Sequence, residues 1–321
     1  MGVQSLVIGS RKYAAYLRLA DYVACTGYIR GDIPGELNRG AIRLLLWHGM
    51  PLKGVGLQCV PEPDDVSGHD YCIATSDLTA GAMSQAFALP RERIIICGEP
   101  KGDLVGIDEV AAVTRTALRS ELLQGYSRII VYAPTWREAP NSMLDGGHER
   151  CDERMIATIN SLVRNVQFQD YLIKRNARFL IKLHPFHTTI KGHSSGPFHY
   201  LTDSQHPTER VLGVADVVVT DYSSVLIDAI ITTTLLLYVP DFKEYKAIRP
   251  CPYYDLEQMF GEFWCKTPLD LMLALDRVWS QPEHSRSSVR RLAKKFHKYE
   301  TGSATVRLLA YLESEKLSRI P

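Results

Sequence analysis

The stretch that decides the fold is DVVVTDYSSVLIDAII, which runs from residue 216 to residue 231. Three valines in a row are followed by hydroxyl and carboxylate side chains, and these are followed by an apolar stretch with helical spacing. A short, fully apolar strand is typical of a parallel sheet that is covered on both faces. Polar residues directly after such a strand lie at the carboxyl end of the sheet, where open α/β sheets bind their ligands.

The same alternation of short strands and helices recurs on both sides of this stretch. It predicts strands near residues 5–8, 42–47, 71–74 and 93–97, with helices near 12–21, 77–88 and 108–123. A second series starts after Gly125, with strands near 128–133, 179–183, 216–220 and 235–239 and helices near 153–171, 207–212 and 223–231. Charged helical sequence follows near 269–279 and 286–317. The pattern indicates an α/β protein with two Rossmann-like domains, parallel sheets and a helical C-terminal segment.

The composition limits the classes of protein to which this chain can belong. Its 321 residues correspond to about two domains, and a hydrophobic content of 45% supports sizeable cores, which excludes a mainly disordered chain. The formal net charge is +1 at pH 7, so the molecule as a whole does not have the basic character of a nucleic-acid-binding protein. We therefore expect no nucleic acid among its partners.

Cysteine usage and hydropathy predict a cytoplasmic protein. The seven cysteines have no C-x-x-C spacing and mostly lie in apolar stretches, which favours reduced, buried thiols over a zinc site or a disulfide framework. The longest candidate for a membrane span, residues 217–239, is interrupted by Asp221, Asp228 and three consecutive threonines. Residues 1–12 lack the basic and then apolar pattern of a signal peptide. We expect neither a transmembrane segment nor export.

Polar residues at the ends of predicted strands carry the functional signal. Four segments have them: residues 47–53 (WHGMPLK), 132–137 (YAPTWR), 182–185 (KLHP) and 220–224 (TDYSS). Because parallel strands end at the same edge of a sheet, we expect these segments to line a crevice.

In the TDYSS segment, Thr220, Asp221, Ser223 and Ser224 lie where a strand ends and a helix begins. The backbone N–H groups at the start of a helix and the helix dipole favour an anion, and serine hydroxyls add donors, so the segment predicts a phosphate site. Taken alone, the same residues also fit a simple helix cap formed by Asp221 or Ser223.

Two other segments add cationic groups. Thr135 and Arg137 follow a predicted strand, and a guanidinium group matches phosphate oxygens well, although a surface arginine in a polar loop is the alternative. Lys182 and His184 end another strand, because Pro185 stops its hydrogen bonding. A histidine at this point can donate to phosphate or shuttle a proton. Five of the ten histidines lie between residues 184 and 206, and we select only His184 among them.

His48 is the candidate general base. It follows an apolar run, and Gly49, Pro51 and Gly54 turn the chain directly after it. Histidine titrates near neutral pH, so an exposed histidine suits the deprotonation of an alcohol. His48 alone also fits a core-edge histidine that is bonded to backbone, and Lys53 either holds a phosphate or only solvates the loop.

The four segments together are more specific than any one of them. Their order and wording resemble the CDP-glycerol glycerophosphotransferase family of teichoic acid and capsule enzymes, whose patterns W-H-G-T-P-L-K, Y-A-P-T-[FW]-R, K-L-H-P and T-D-Y-S-S appear here in order. Weaker matches at residues 98–103, 241–245 and 296–304 extend the resemblance over nearly the whole chain. Two departures are Met50, where the family has threonine, and Lys101, where it has the arginine of R-N-D.

The resemblance implies a GT-B-type transferase with two facing Rossmann-like domains. Residues 1–115 would form the acceptor-side domain, residues 116–300 the domain that binds the nucleotide donor, and residues 301–321 a C-terminal helix. It implies transfer of glycerol phosphate from CDP-glycerol, or of ribitol phosphate from CDP-ribitol, to a hydroxyl of a lipid-linked glycan or polyol phosphate acceptor, with release of CMP.

The resemblance also implies roles for single residues. His48 would deprotonate the acceptor hydroxyl, while His184 and Arg137 would stabilise charge on the diphosphate as CMP leaves. Asp221 would orient its neighbours. The complete substrate-binding set is Lys53, Thr135, Arg137, Lys182, Thr220, Asp221, Ser223 and Ser224.

The sequence contains no D-x-D motif, which is the usual magnesium-binding motif of nucleotide-sugar transferases. We therefore expect no metal ion and no cofactor, with arginine, histidine, lysine and a helix terminus supplying positive charge instead.

A basic stretch near the chain end fits an anionic membrane surface, because members of the family act at the cytoplasmic face on undecaprenyl-linked acceptors. A solvated terminal helix is the alternative. The basic residues are Arg286, Arg290, Arg291, Lys294, Lys295 and Lys298.

Other functions stay open at this point. They are a CDP-ribitol phosphotransferase, a GT-B glycosyltransferase or epimerase that uses a nucleotide sugar, and a non-catalytic relative that binds nucleotide. The intact His48, Arg137, His184 and Ser223 argue against the non-catalytic relative.

Overall fold

The computed structural model describes residues 5–27, 36–58, 68–105, 109–135, 152–183, 195–202, 204–248, 251–299 and 302–318. Within these residues the chain forms two parallel sheets, one of four strands and one of six, with helices packed against them. The predicted α/β architecture with two parallel-sheet halves and a helical C-terminal segment is confirmed.

The first sheet has the strand order β1-β2-β3-β4, and each neighbouring pair is parallel. Its strands are β1 (Tyr22–Cys25), β2 (Ile42–Leu45), β3 (Tyr71–Ala74) and β4 (Ile94–Ile96). The described helices that precede the second sheet are α1 (Arg11–Leu19), α2 (Asp77–Phe87) and α3 (Glu109–Leu123). α2 starts after Ser76 because Ser76 and Thr79 form a reciprocal capping box.

The second sheet has the order β10-β9-β8-β5-β6-β7, and its neighbouring strands are also parallel. Its strands are β5 (Arg128–Tyr132), β6 (Ala177–Lys182), β7 (Phe198–Leu201), β8 (Val217–Thr220), β9 (Thr234–Tyr238) and β10 (Trp264–Cys265). Between the strands lie α4 (Asp152–Val163), α5 (Val166–Lys174), α6 (Thr208–Leu212), α7 (Val225–Ala229), α8 (Phe242–Ile248) and α9 (Leu256–Phe260). The helices after β10 are α10 (Pro268–Ser280), α11 (Pro282–Phe296) and α12 (Ala304–Ser318).

One apolar cluster joins the two halves of the protein. It contains Leu45 and Met83 from the first half, Val218 and Leu237 from the second sheet, and Leu292 from α11, all of them buried. Burial of apolar surface is the dominant favourable contribution to folding, so this shared core holds the halves together.

The chain returns to the first half at its last helix. Leu308 and Leu312 of α12 pack in one buried cluster with strand residues of the first sheet, including Leu44 and Ile73. The carboxylate of Asp103 accepts the backbone N–H groups of Ala304 (2.9 Å) and Thr305 (3.0 Å). These N–H groups have no partner within the helix, so Asp103 caps α12 from a distant part of the chain.

The structure corrects several predicted elements. Residues 5–8 are not a strand, because Gly9 turns the chain and Ser10 caps α1. The strands β1, β7 and β10 were not predicted, and each has at most four residues. The predicted helix at 153–171 is two helices, because Asn165 caps α5. The predicted helix at 286–317 is also two helices, α11 and α12.

We predict that Leu308→Ala lowers the free energy of unfolding by about 2–5 kcal/mol, because it leaves a cavity between α12 and the first sheet. The adjacent exposed residue provides a matched control, since Leu309 is 54% exposed and Leu308 is 6% exposed. Urea unfolding followed by circular dichroism measures both variants. Equal losses for Leu308→Ala and Leu309→Ala would contradict the packing of α12 described above.

Candidate functional site

The second sheet has a topological switch point between β5 and β8. These strands lie side by side at the centre, with Tyr132 opposite Val219. From β5 the chain continues outward through β6 and β7, and from β8 it continues outward in the opposite direction through β9 and β10. Ligands of open α/β sheets bind in the crevice beyond the carboxyl ends of strands at such a point. The YAPT and TDYSS segments both begin there.

Asp221 joins the two segments at the switch point. Its carboxylate is fully buried and accepts the backbone N–H of Thr135, with N–O distances of 2.9 and 3.1 Å. The Thr135 hydroxyl also donates to Asp221. The neighbouring Thr220 hydroxyl donates to the carbonyl of Ala133 at 2.7 Å. Thr135, Thr220 and Asp221 therefore fix the shape of the crevice floor.

The two serines of the TDYSS segment lie at the start of α7. Ser224 occupies the N-cap position but makes no capping hydrogen bond with its side chain, and Ser223 Oγ accepts the N–H of Val225 at 3.3 Å. Both side chains are half-buried. The helix is shorter than expected, since α7 spans five residues and the sequence pattern predicted residues 223–231. A helix of five residues has a small dipole, so the groups that this segment offers to a ligand are mainly the hydroxyls of Ser223 and Ser224.

His48 lies in the loop that follows β2, and its ring is exposed. Nδ1 is 2.9 Å from the carbonyl oxygen of Thr26. A carbonyl can only accept, so Nδ1 carries the proton of the neutral ring and Nε2 holds the lone pair. The preceding Trp47 has a left-handed backbone conformation (φ 55°), and its indole packs against Phe87 at a ring-centroid distance of 4.9 Å. Such strained residues are found at functional sites.

Gly49 brings the His48 loop against the second half. Its φ is +148°, and a Cβ at this position would lie 2.5 Å from Oγ and 2.8 Å from Cβ of Ser224. The absence of a side chain is therefore what lets the two loops touch. A few residues later, the Tyr253 hydroxyl donates to the Val55 carbonyl (3.2 Å) and accepts the Val55 N–H (3.3 Å).

The remaining predicted residues have mixed outcomes. Lys182 is the last residue of β6, at the carboxyl edge of the sheet, and its side chain is buried. Lys53 is half-buried and lies close enough to Cys251 of the second half to act electrostatically on its thiol. Arg137 and His184 lie outside the described residues. Within the described residues, the His48 loop of the first half meets Ser224 through Gly49, and Lys53 lies near Cys251 of the second half.

A buried ionic group beside the His48 loop was not predicted from the sequence. The ammonium of Lys101 is 2.6 Å from Oδ2 of Asp228, 3.7 Å from Oε1 of Glu99 and 3.5 Å from the carbonyl oxygen of His48. Burial would lower the pKa of Lys101, but Asp228 and Glu99 outweigh it and raise that pKa above its usual value. Burial also raises the pKa of Glu99 to about 8, and Asp228 contributes in the same direction. The available signal was Asp228, a lone carboxylate in the apolar α7.

Comparison with known proteins gives the family. A family model described as CDP-glycerol:poly(glycerophosphate) glycerophosphotransferase matches residues 1–314. The chain belongs to this family. The family resemblance expected from the four motifs is therefore confirmed.

Two relatives show how the similarity is distributed. The chain is 25% identical over 269 residues to a teichoic acid poly(glycerol phosphate) polymerase of Bacillus spizizenii, covering 78% of this chain and 64% of the polymerase. It is 22% identical over 292 residues to a teichoic acid ribitol-phosphate primase of the same organism, covering 85% and 69%. Against three teichoic acid polymerases the chain spans between 33% and 64% of their length.

The fold comparison agrees. A variant of the wall teichoic acid polymerase TagF superposes with a TM-score of 0.71 at 17% sequence identity, covering 94% of this chain and 74% of that chain. Together with the two parallel sheets, this likeness confirms the expected GT-B-type fold.

We predict that Gly49→Ala lowers the free energy of unfolding by about 1–3 kcal/mol, because the added methyl group meets Ser224 and the backbone conformation disfavours a side chain. Adding Ser224→Gly removes the atoms that the methyl group meets, so the double variant recovers part of the loss. Urea unfolding measures each variant.

The control is Gly81→Ala in α2, where a Cβ has no neighbour within 4 Å. This control gains about 0.5–1 kcal/mol from helix propensity. A Gly49→Ala protein as stable as the wild type would contradict the contact between the two loops.

Proposed function

We propose that this protein transfers glycerol phosphate from CDP-glycerol to a hydroxyl of a lipid-linked or polymer acceptor and releases CMP. The observation that carries the proposal is the contact of the His48 loop with the Ser224 loop at the switch point of the second sheet. In a member of the glycerophosphotransferase family, this contact supports the proposal that His48 acts as a base beside a diphosphate site at Ser223 and Ser224.

The proposed reaction is a displacement at phosphorus. His48 Nε2 accepts the proton of the acceptor hydroxyl, and the acceptor oxygen attacks the phosphorus that carries glycerol. A phosphodiester bond forms, and the bond from that phosphorus to the bridging oxygen of CMP breaks. The hydrogen bond from Nδ1 to the Thr26 carbonyl supports this role, because it orients the ring and leaves the lone pair on Nε2.

Charge on the diphosphate would be stabilised from the second half. Ser223 and Ser224 supply hydroxyl donors, and Lys182 supplies positive charge from the end of β6. Arg137 and His184 complete this set in the proposal, and Lys53 contributes positive charge from the first half. Phosphoryl transfer depends mainly on positioning and electrostatic stabilisation, and a set of cationic groups and donors suits both.

Ribitol phosphate is the second candidate for the group transferred. The observation in its favour is the similarity to a ribitol-phosphate primase, which is as extensive as the similarity to a glycerol phosphate polymerase. A nucleotide-sugar transferase or epimerase would instead release UDP or another nucleoside diphosphate. The identity of the released nucleotide therefore separates polyol phosphate transfer, which releases CMP, from transfer from a UDP-sugar. CDP-glycerol and CDP-ribitol both release CMP, so a comparison of the rates with the two donors separates glycerol from ribitol.

We propose that α11 binds the membrane surface and lies against anionic lipid at the cytoplasmic face. Its inner face is buried through Val289, Leu292 and Phe296. Five of the six basic candidates lie in α11 and Lys298 follows it, and all six are exposed. Within the residues that the structure describes, no helix is long and apolar enough to cross a membrane. A lipid-linked acceptor would thus be reached by a protein bound to the surface.

We predict that purified protein releases CMP from CDP-glycerol in the presence of a lipid-linked acceptor, and that His48→Ala lowers the rate about 10²–10⁴-fold through loss of the general base. The exposed His284 gives a matched control, and His284→Ala keeps the wild-type rate. CDP-ribitol and UDP-sugars are tested in parallel, in buffer with EDTA and with magnesium. An unchanged rate in His48→Ala would remove His48 as the base, and release of UDP in place of CMP would overturn the proposed reaction.

We predict that flotation with vesicles requires the basic face of α11. Neutralising Arg290, Arg291, Lys294 and Lys295 to Gln reduces binding to phosphatidylcholine vesicles that contain phosphatidylglycerol, because each cation near an anionic surface contributes about 1 kcal/mol.

The control for this experiment removes the same amount of charge elsewhere in the second half. In the control protein, four other exposed cations are changed to Gln, namely Arg154, Arg164, Lys174 and Lys243. If the two neutralised proteins float equally well, or if binding is independent of phosphatidylglycerol, α11 is not the membrane-binding face.

A further inference from the structure

A buried ion pair crosses between the two halves next to the proposed site. Lys101 lies in the 3-10 turn Pro100–Val105, which follows the first sheet, and Asp228 lies in α7 of the second half. Their charged atoms are 2.6 Å apart, with 24% of the lysine side chain and 10% of the aspartate side chain exposed. At this burial each charge depends on the other, because an ion left without a partner in the interior is strongly unfavourable.

The same ammonium group reaches the backbone of the candidate base. Lys101 Nζ is 3.5 Å from the carbonyl oxygen of His48, and it lies 3.6 Å from the position that a Cβ of Gly49 would occupy. The ammonium donates to Asp228 and to the His48 carbonyl, while Glu99 Oε1 lies farther away, at 3.7 Å. The peptide that follows His48 is therefore tied to the ion pair.

The other end of the ion pair is tied to the candidate diphosphate site. Asp228 lies one helical turn after Ser224, the N-cap residue of α7. A shift of Asp228 would move the start of α7 with it. Lys101 thus connects the loop that carries His48 with the helix that carries Ser224, and its raised pKa keeps it charged at neutral pH.

We infer that Lys101 is a positioning residue, which acts through its contacts with Asp228 and the His48 carbonyl to set the placement of His48 relative to Ser223 and Ser224. This inference rests on the proposed function for its kinetic consequence. Catalysis is sensitive to such placement, because a displacement of about 1 Å costs about 10²-fold in rate. In this role Lys101 acts on the reacting groups through Asp228 and the His48 carbonyl, so we expect binding of the donor to depend on it much less than kcat does.

The test separates positioning from stability with a pair of variants. Lys101→Met leaves Asp228 as an unpaired buried charge, so it loses both stability and activity. The double variant Lys101→Met with Asp228→Asn removes that charge and recovers thermal stability, because burial raises the pKa of the remaining acid, Glu99, and keeps it neutral. We expect its kcat for CMP release to stay about 30–100-fold below that of the wild type, while KM for CDP-glycerol stays within about threefold.

Two further variants complete the kinetic test. Lys101→Arg keeps a cation that can bind both Asp228 and the His48 carbonyl, and we expect it to keep kcat within about threefold of the wild type. Lys243→Met, on the exposed face of α8, is the matched control and leaves kcat unchanged. A double variant that recovers kcat together with stability would overturn the inference and leave Lys101 a purely structural residue.

A second readout does not depend on turnover. The ¹H–¹³C NMR signal of the His48 ring, assigned by its loss in His48→Ala, should shift in the double variant and return to its wild-type position in Lys101→Arg. An unchanged signal in the double variant would overturn the inference. If the signal behaves as expected but the wild type releases no CMP, the positioning of His48 stands and the proposed reaction fails.

Discussion

The close approach of Gly49 to Ser224 is the constraint on which the candidate site depends. It joins two loops from different sheets at a distance that no side chain other than hydrogen permits at position 49. The contact puts the histidine of one loop next to the hydroxyls of the other. A site formed in this way requires that neither sheet moves relative to the other, because the groups it brings together come from opposite halves.

Each side of this contact is fixed by hydrogen bonds of charged or polar groups. On the side of the second sheet, Asp221 holds the backbone of Thr135 and so determines where β5 and β8 open into the crevice. On the other side, the Thr26 carbonyl holds the His48 ring and Lys101 approaches its carbonyl. Asp221 and Thr135 are buried as well as paired, and such groups rigidify a structure, which suits a reaction that depends on geometry.

The sequence predicted the parts of the fold and site that leave a local pattern. Apolar runs such as residues 217–219 identified the central strands, and polar residues after them identified the crevice. A strand of two residues, such as β10, leaves too short a pattern to recognise. β1 and β7 are as long as β8, but they are only partly buried and less uniformly apolar, so their pattern is weaker. The pairing of Lys101 with Asp228 joins residues 127 positions apart, so no local spacing could indicate it. The one local signal is that Asp228 is a solitary charge within an apolar helix, and a buried charge needs a partner.

The position of α12 has a consequence for how the chain acquires its structure. The first sheet uses residues from 22 to 96, but Leu308 and Leu312 of α12 cover one of its faces, and Asp103 caps that helix. This face therefore stays uncovered during synthesis until residues more than 200 positions later have emerged. Contacts between such distant segments form slowly, because the long intervening loop must close first. The half that is synthesised first is thus completed last, and cutting the chain between the two sheets would not yield two independent domains.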